Sequence, residues 1–243
     1  MSVAVVAREN LERLNRWQPA RPDPADAAQV LAMPLVLHIE KTDPPGRQAL
    51  VEAAARATVL ACLDPRAAAD GPWAADFDAW CSGRIRKIAR RARGVAWAAV
   101  GEVEGVTVEQ DGAQARAFVP GPVGEVDRRI GKLQIGGTEV DGELAADSPP
   151  RGLRLFVAPN LPMTVGKLAA QVSHASMLGA ACVPGELVND WYADGCPLAV
   201  VQAGPRDWET LLAEAAAGEA VAVRDAGYTE VAPGSCTVIA QWR

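Results

Sequence analysis

Leu153-Arg-Leu-Phe-Val-Ala158 is a short, mostly apolar run. It leads into a loop rich in proline and asparagine, Pro159-Asn-Leu-Pro-Met-Thr-Val165, and then into Gly166-Lys167-Leu-Ala-Ala-Gln171-Val-Ser-His174-Ala175. An apolar run of this length bounded by such a loop reads as a buried strand. From Gly166 the period changes. Leu168, Val172, Ala175, Leu178 and Cys182 recur at steps of three or four, which predicts a helix to about Cys182 with one apolar face. Further on, Pro184 to Trp191 reads as a second helix closed at Gly195, and Leu198-Ala-Val-Val-Gln202 as a buried-type strand. Asp207 to Ala217 reads as an Ala/Leu helix, and two strands follow at 220–224 and 236–242. Strands alternating with helices indicate an α/β layer fold.

Three zones and a linker emerge from there toward the N-terminus. Residues 1–33 hold a charged amphipathic stretch, Arg8 to Trp17, and a Pro/Ala/Asp segment, and read as an arm or linker. Residues 34–140 open on the apolar run Pro34-Leu-Val-Leu-His-Ile39. Residues 141–150 form a turn-rich linker whose Pro149-Pro150 pair stops any helix running through, and the last zone is 151–243. The second zone weakly repeats the opening of the last. Leu35-Val-Leu-His-Ile-Glu40, a Pro-rich loop and Gly46-Arg47-Gln-Ala-Leu-Val parallel the strand, loop and Gly166-Lys167 helix. A degenerate internal duplication and a chance likeness between two Ala-rich strand–helix units both fit.

At 243 residues the chain has room for one large domain or two small ones. Its five cysteines are scattered with no C-x-x-C pair, and it has only two histidines, so neither a disulfide framework nor a metal site is expected. Charges appear too early for a signal peptide, and no apolar run approaches a membrane span. The expectation is a cytoplasmic protein without membrane contact. The net charge of −6 excludes a molecule basic all over. Gly166-Lys167 lacks the flanking Gly and Ser/Thr of a phosphate loop, since Leu161 and Leu168 stand there. Neither a G-x-S-x-G elbow nor a G-x-G-x-x-G fingerprint occurs.

What remains is a sparse polar set. Lys167 starts a helix, Asp225 follows the strand Ala220-Val-Ala-Val-Arg224, Thr229 lies four residues on, and Thr237 opens the last strand. Asp225 thus falls near the C-terminal end of a strand, where α/β sheets tend to place their sites. An Asx turn at Asp225 and a solvated Lys167 fit the spacing equally well.

The order of two long blocks carries more. Gly166-Lys167-Leu-Ala-Ala-Gln171-Val-Ser-His174-Ala and Val223-Arg224-Asp225-Ala-Gly-Tyr-Thr229-Glu230-Val-Ala-Pro233-Gly234-Ser235-Cys-Thr237-Val-Ile-Ala resemble the second, archaeal and eukaryotic class of peptidyl-tRNA hydrolases. The resemblance spans Leu153 to Trp242. It implies a small mixed four-stranded sheet with helices on both faces, no cofactor, no metal, and frequent homodimers. The implied activity is cleavage of the ester between a peptide and the 3′ ribose of tRNA. By position it assigns the catalytic roles to Lys167, Asp225, Thr229 and Thr237, with Gly166, Gln171, His174 and Ser235 in support. The chain departs from the family pattern just ahead of the lysine, where an acidic residue is replaced by Asn160 and a basic one by Val165.

The implied substrate, tRNA, calls for basic residues. The last zone has six against nine acidic ones, but Arg84, Arg86, Lys87, Arg90, Arg91 and Arg93 fall within ten positions of the second zone. These are the candidate tRNA contacts, with an ordinary solvated face as the other reading. The N-terminal half would then be a degenerate α/β copy in which Arg47 stands where Lys167 stands. The chain would be a pseudo-dimer in itself, or would form a homodimer. A non-catalytic module that binds tRNA or protein through the same domain is the alternative function.

Overall fold

The computed structural model describes residues 6–17, 22–147, 151–227 and 230–243. The arm is partly built in: α1 (Arg8–Asn15) buries Leu14 and Asn10, and Asn10 donates to the Asp64 carbonyl at 3.0 Å. The first strand, β1 (Leu31–His38), begins at Leu31 rather than at Pro34. Then come α2 (Arg47–Leu63), α3 (Ala74–Cys81), β2 (Arg86–Ala92), α4 (Gly94–Gly101) and a hairpin of β3 (Gly105–Gln110) and β4 (Ala113–Phe118). The short β5 (Gly121–Pro122) and α5 (Arg128–Gly131) complete this half. The sheet order is β2-β1-β4-β3, with β1 parallel to β2 and antiparallel to β4. Pro34, inside β1, lies opposite Ile88 of β2 and between the stretch paired with β5 and the stretch paired with β4.

The second half contains β6 (Leu153–Val157), α6 (Val165–Gly179), α7 (Val188–Ala193), β7 (Leu198–Gln202), α8 (Pro205–Ala216), β8 (Val221–Arg224) and β9 (Cys236–Trp242). It forms a mixed α/β unit with the order β7-β6-β9-β8, in which β6 is parallel to β7 and antiparallel to β9. The order second-first-fourth-third, and the direction of every pairing along it, are the same in the two sheets. The second helix of this half starts later than its sequence suggests, at Val188, because Pro184 to Leu187 closes as a turn.

The two halves share one core. Helix α2 is buried almost all round, as a helix enclosed on every side must be. It lies on β3 and β4 of its own sheet and touches β7 of the other, while α6 lies on β8 and β9 and touches β2. The helices pack against each other through small residues that allow close approach. Ser173 Oγ donates to the Ala54 carbonyl at 3.1 Å, and Ser176 Oγ to the Ala55 carbonyl at 2.8 Å. A single apolar cluster therefore runs from Leu35 and Leu50 through Val172 to Val238. The outer sheet faces are covered separately: Val100 and Ile130, with half-buried Trp97 beside them, pack on the first sheet, and Leu211 packs on the second. Edge strand β7 is capped by side chains of α2. Gln48 Nε2 donates to the Val200 carbonyl at 2.8 Å, and Val200 N–H donates to Glu52 Oε1 at 3.0 Å. Burial raises the Glu52 carboxyl pKa, against the hydrogen bonds it accepts from the Val200 N–H and from Gln48 Nε2. Among the described residues no helix is long and apolar enough to cross a membrane.

Candidate active site

The N-terminus of α6 is held from three directions. Thr164 is its N-cap, accepting the Lys167 N–H at 3.2 Å. Its own hydroxyl and N–H donate to the Glu230 carboxylate at 2.7 and 2.8 Å. From the first half, Thr138 Oγ1 accepts the Gly166 N–H at 3.0 Å and Glu139 accepts the Val165 N–H at 3.3 Å. Gly166 is required sterically, since a Cβ there would lie 2.8 Å from Thr138 Oγ1. Val165 is fully buried, which explains how an apolar side chain occupies the position before the Gly-Lys pair.

This scaffold aims Lys167 at Asp225. Lys167 Nζ lies 2.5 Å from Asp225 Oδ2, and both side chains are almost enclosed. The same oxygen accepts Gln171 Nε2 at 2.9 Å, and Oδ1 accepts the Gly227 N–H at 2.7 Å. Gln171 sits four residues, one helical turn, beyond Lys167 and so reaches the same carboxylate. Its Oε1 accepts the Thr237 hydroxyl at 2.5 Å. The result is a relay from Thr237 through Gln171 to Asp225 and Lys167. The backbone of Asp225 is fixed as well. Its N–H donates to the Ser235 carbonyl at 2.9 Å and its carbonyl accepts the Gly234 N–H at 2.7 Å, just past an irregularity between Val223 and Arg224. Gly227 takes a positive φ of 78°, and a Cβ there would meet Pro233 Cγ at 2.3 Å, so the turn beneath the carboxylate demands glycine.

Lys167, Gln171, His174 and Asp225 line one cavity of about 630 Å³. Thr237 is fully buried and faces Gln171 rather than the cavity. Thr229 lies outside the described residues. His174 Nε2 is 2.5 Å from the carbonyl of Ile85, the residue that leads into β2. Burial, with Lys87 adding to it, holds the His174 pKa well below the ordinary histidine value.

The basic run does not form one face. Arg84, Arg86 and Lys87 line this cavity, contributed by the first half. Lys87 Nζ is 4.8 Å above the Trp80 ring and 3.1 Å from Met177 Sδ, and burial pushes its pKa down to about 7. Arg90 instead donates to the carbonyls of Gly131 and Leu133 at 3.1 and 2.8 Å, and Arg91 to Gln134 Oε1 at 3.0 Å. Arg93 is exposed. Arg47 is the first residue of α2, whereas Lys167 is the third of α6, and it donates to the Met163 carbonyl at 3.1 Å. Sequence reasoning missed Thr138, Glu230 and the capping role of Thr164. Only the last had a visible signal, a threonine immediately before the periodic stretch.

A Lys–Asp pair fixed by an amide–hydroxyl relay, just past the end of β8 in a four-stranded mixed sheet, defines a small α/β domain whose cavity is shared with the first half. The model of the family Peptidyl-tRNA hydrolase PTH2 matches residues 153–241 of the chain. The human protein "Peptidyl-tRNA hydrolase 2, mitochondrial" is 36% identical over 110 residues, covering 42% of this chain and 60% of the human one. "Peptidyl-tRNA hydrolase" of Nanoarchaeum equitans is 34% identical over 93 residues, 36% of this chain and 81% of the archaeal one. That of Methanopyrus kandleri is 39% identical over 93 residues, 35% of this chain and 78% of its own. The chain belongs to the peptidyl-tRNA hydrolase family represented by that model. It spans 60% of the length of the human and bovine relatives.

Proposed function

We propose that this chain hydrolyses the ester joining a peptide, or an N-blocked amino acid, to the 3′ end of tRNA. The observation that carries the reading is the Lys167–Asp225 pair, 2.5 Å apart in a cavity large enough for a substrate end and set within the family-matched residues. Ester hydrolysis needs an oriented water and a donor for the developing oxyanion. Asp225 Oδ1 accepts one N–H and keeps acceptor capacity toward a water. The Lys167 ammonium has three donors and spends one on Asp225, so it can also meet the carbonyl oxygen as that oxygen turns negative. Gln171 and Thr237 hold the pair in place, and the resemblance assigns Thr229 to the same set.

In this reading tRNA phosphates meet Arg84 and Arg86 at the cavity, with Arg93 beyond them. The first half is a degenerate copy standing where a second subunit would stand, so the chain is a pseudo-dimer. The shared strand order and the reciprocal packing of α2 and α6 support that view. A cytoplasmic location suits five free cysteines. The deciding assay follows acyl release from an N-blocked aminoacyl-tRNA. Turnover by the wild type and its loss in Asp225→Ala is the expected result. No wild-type turnover leaves the non-catalytic module, and full turnover by Asp225→Ala ends the mechanism.

A further inference from the structure

We propose that Arg84 and Arg86 form a phosphate subsite of the Lys167 cavity, and that Asp23 occupies it in place of a phosphate, so that RNA must displace the chain's own carboxylate. The identity of the anion rests on the function proposed above. The clasp itself rests on geometry. Arg86 Nε donates to Asp23 Oδ1 at 3.3 Å while its Nη2 pairs with Oδ2, a two-point grip, and Arg84 Nε lies 3.7 Å from the same Oδ2. A guanidinium fork offers a phosphodiester the same two parallel donors. All three residues line the cavity that holds Lys167 and Asp225, so an anion there would belong to the same ligand as an ester bound at the pair.

Asp23 is delivered by chain anchored on both sides. Before it, Trp17 Nε1 donates to the Gly83 carbonyl at 3.0 Å. After it, Asp26 accepts the Ala28 N–H at 2.9 Å, and the Val30 carbonyl accepts the Val123 N–H at 2.9 Å. Tethering makes the carboxylate a competitor at high local concentration. The side chains of Arg84, Arg86 and Asp23 remain 43%, 23% and 29% exposed, so the clasp is a soft one that several RNA phosphates together can open.

The test measures binding of deacylated tRNA to the full chain at fixed salt, for the wild type, Asp23→Asn, Asp23→Ser, Arg86→Ala and Asp23→Asn/Arg86→Ala. Removing the competitor is expected to tighten binding roughly two- to fivefold, the scale of a partly exposed ion pair. Arg86→Ala weakens binding, and in its background Asp23→Asn gives no gain. Unchanged or weaker binding by both Asp23 variants would overturn the proposal, and so would a gain that survives Arg86→Ala, because that reports net charge alone. Two Asp23 variants, each checked by thermal melting, keep one misfolded protein from deciding. Absence of acyl release by the wild type, with the Asp23→Asn gain intact, sinks the hydrolase reading and upholds the subsite. Turnover with no Asp23 effect does the reverse.

Discussion

Gln171 joins the two ends of the site. Its Nε2 is 2.9 Å from Asp225 Oδ2 and its Oε1 is 2.5 Å from the Thr237 hydroxyl. Because the Thr237 hydroxyl claims the amide oxygen, the amide nitrogen is left facing the carboxylate. Gln171→Ala frees Asp225 to rotate while leaving Lys167 in place. A buried hydrogen bond to a charged group is worth about 1.5–3 kcal/mol, so kcat should fall roughly 10- to 100-fold with KM little changed. Steady-state kinetics on N-blocked aminoacyl-tRNA checks this. A rise in KM alone would show that the amide binds substrate instead.

Gly166→Ala tests how the first half supports the site. The added Cβ would lie 2.8 Å from Thr138 Oγ1, so stability should drop by about 1–3 kcal/mol. Thr138→Ala removes the obstructing atom, and the double variant should recover part of the loss in urea unfolding. No recovery would place the strain elsewhere.

Most of the last half was legible in the sequence because its signals are local. The apolar run from Leu153 to Ala158 and the 3.6-period from Gly166 each lie within one element, whereas Lys167 and Asp225, 58 residues apart, were legible as a pair only through the two long blocks that resemble the family. The first half was legible only as a faint echo of the last, and nothing in its sequence announced that the two sheets share a strand order. Two things lay beyond reach. The burial of α2 against α6 depends on alanines and serines that carry no distinctive pattern, and the capping of β7 by Gln48 and Glu52 joins residues far apart in the chain. The basic run misled for a different reason. Taken as a block of charge it suggests one face, but the run is drawn out along β2, so its first residues border the Lys167 cavity while Arg90 and Arg91 further along serve Gly131, Leu133 and Gln134.

Lys87 makes stability depend on pH. Burial lowers its pKa from 10.5 to about 7, so between those values the unfolded chain binds a proton that the folded chain does not. Stability should therefore rise as pH increases from about 7 toward 10.5, with a slope of up to about 1.4 kcal/mol per pH unit from this group. Lys87→Met keeps the apolar stem beside Trp80 and should flatten that stretch of the curve. Urea unfolding of both proteins from pH 7 to 10 measures the difference, and parallel curves would contradict it.

If the first half replaces a second subunit, the α6 face a partner would need is already covered by α2. The full chain should then sediment as a 25.5 kDa monomer at micromolar concentration and unfold in one cooperative transition, because a single core spans both sheets. A stable dimer or two separate transitions would count against the pseudo-dimer.

The split of the basic run predicts unequal effects on RNA binding. Each phosphate contact contributes roughly 0.7–0.9 to the slope of log K against log salt. Arg84→Gln with Arg86→Gln should therefore lower the magnitude of that slope by about one to two, since both side chains line the Lys167 cavity. Arg90→Gln with Arg91→Gln should leave it unchanged, because those guanidiniums already serve the carbonyls of Gly131 and Leu133 and the side chain of Gln134. Binding of deacylated tRNA over a range of salt concentrations separates the pairs. Equal losses from both would mean that RNA crosses the whole of β2 rather than entering at the cavity.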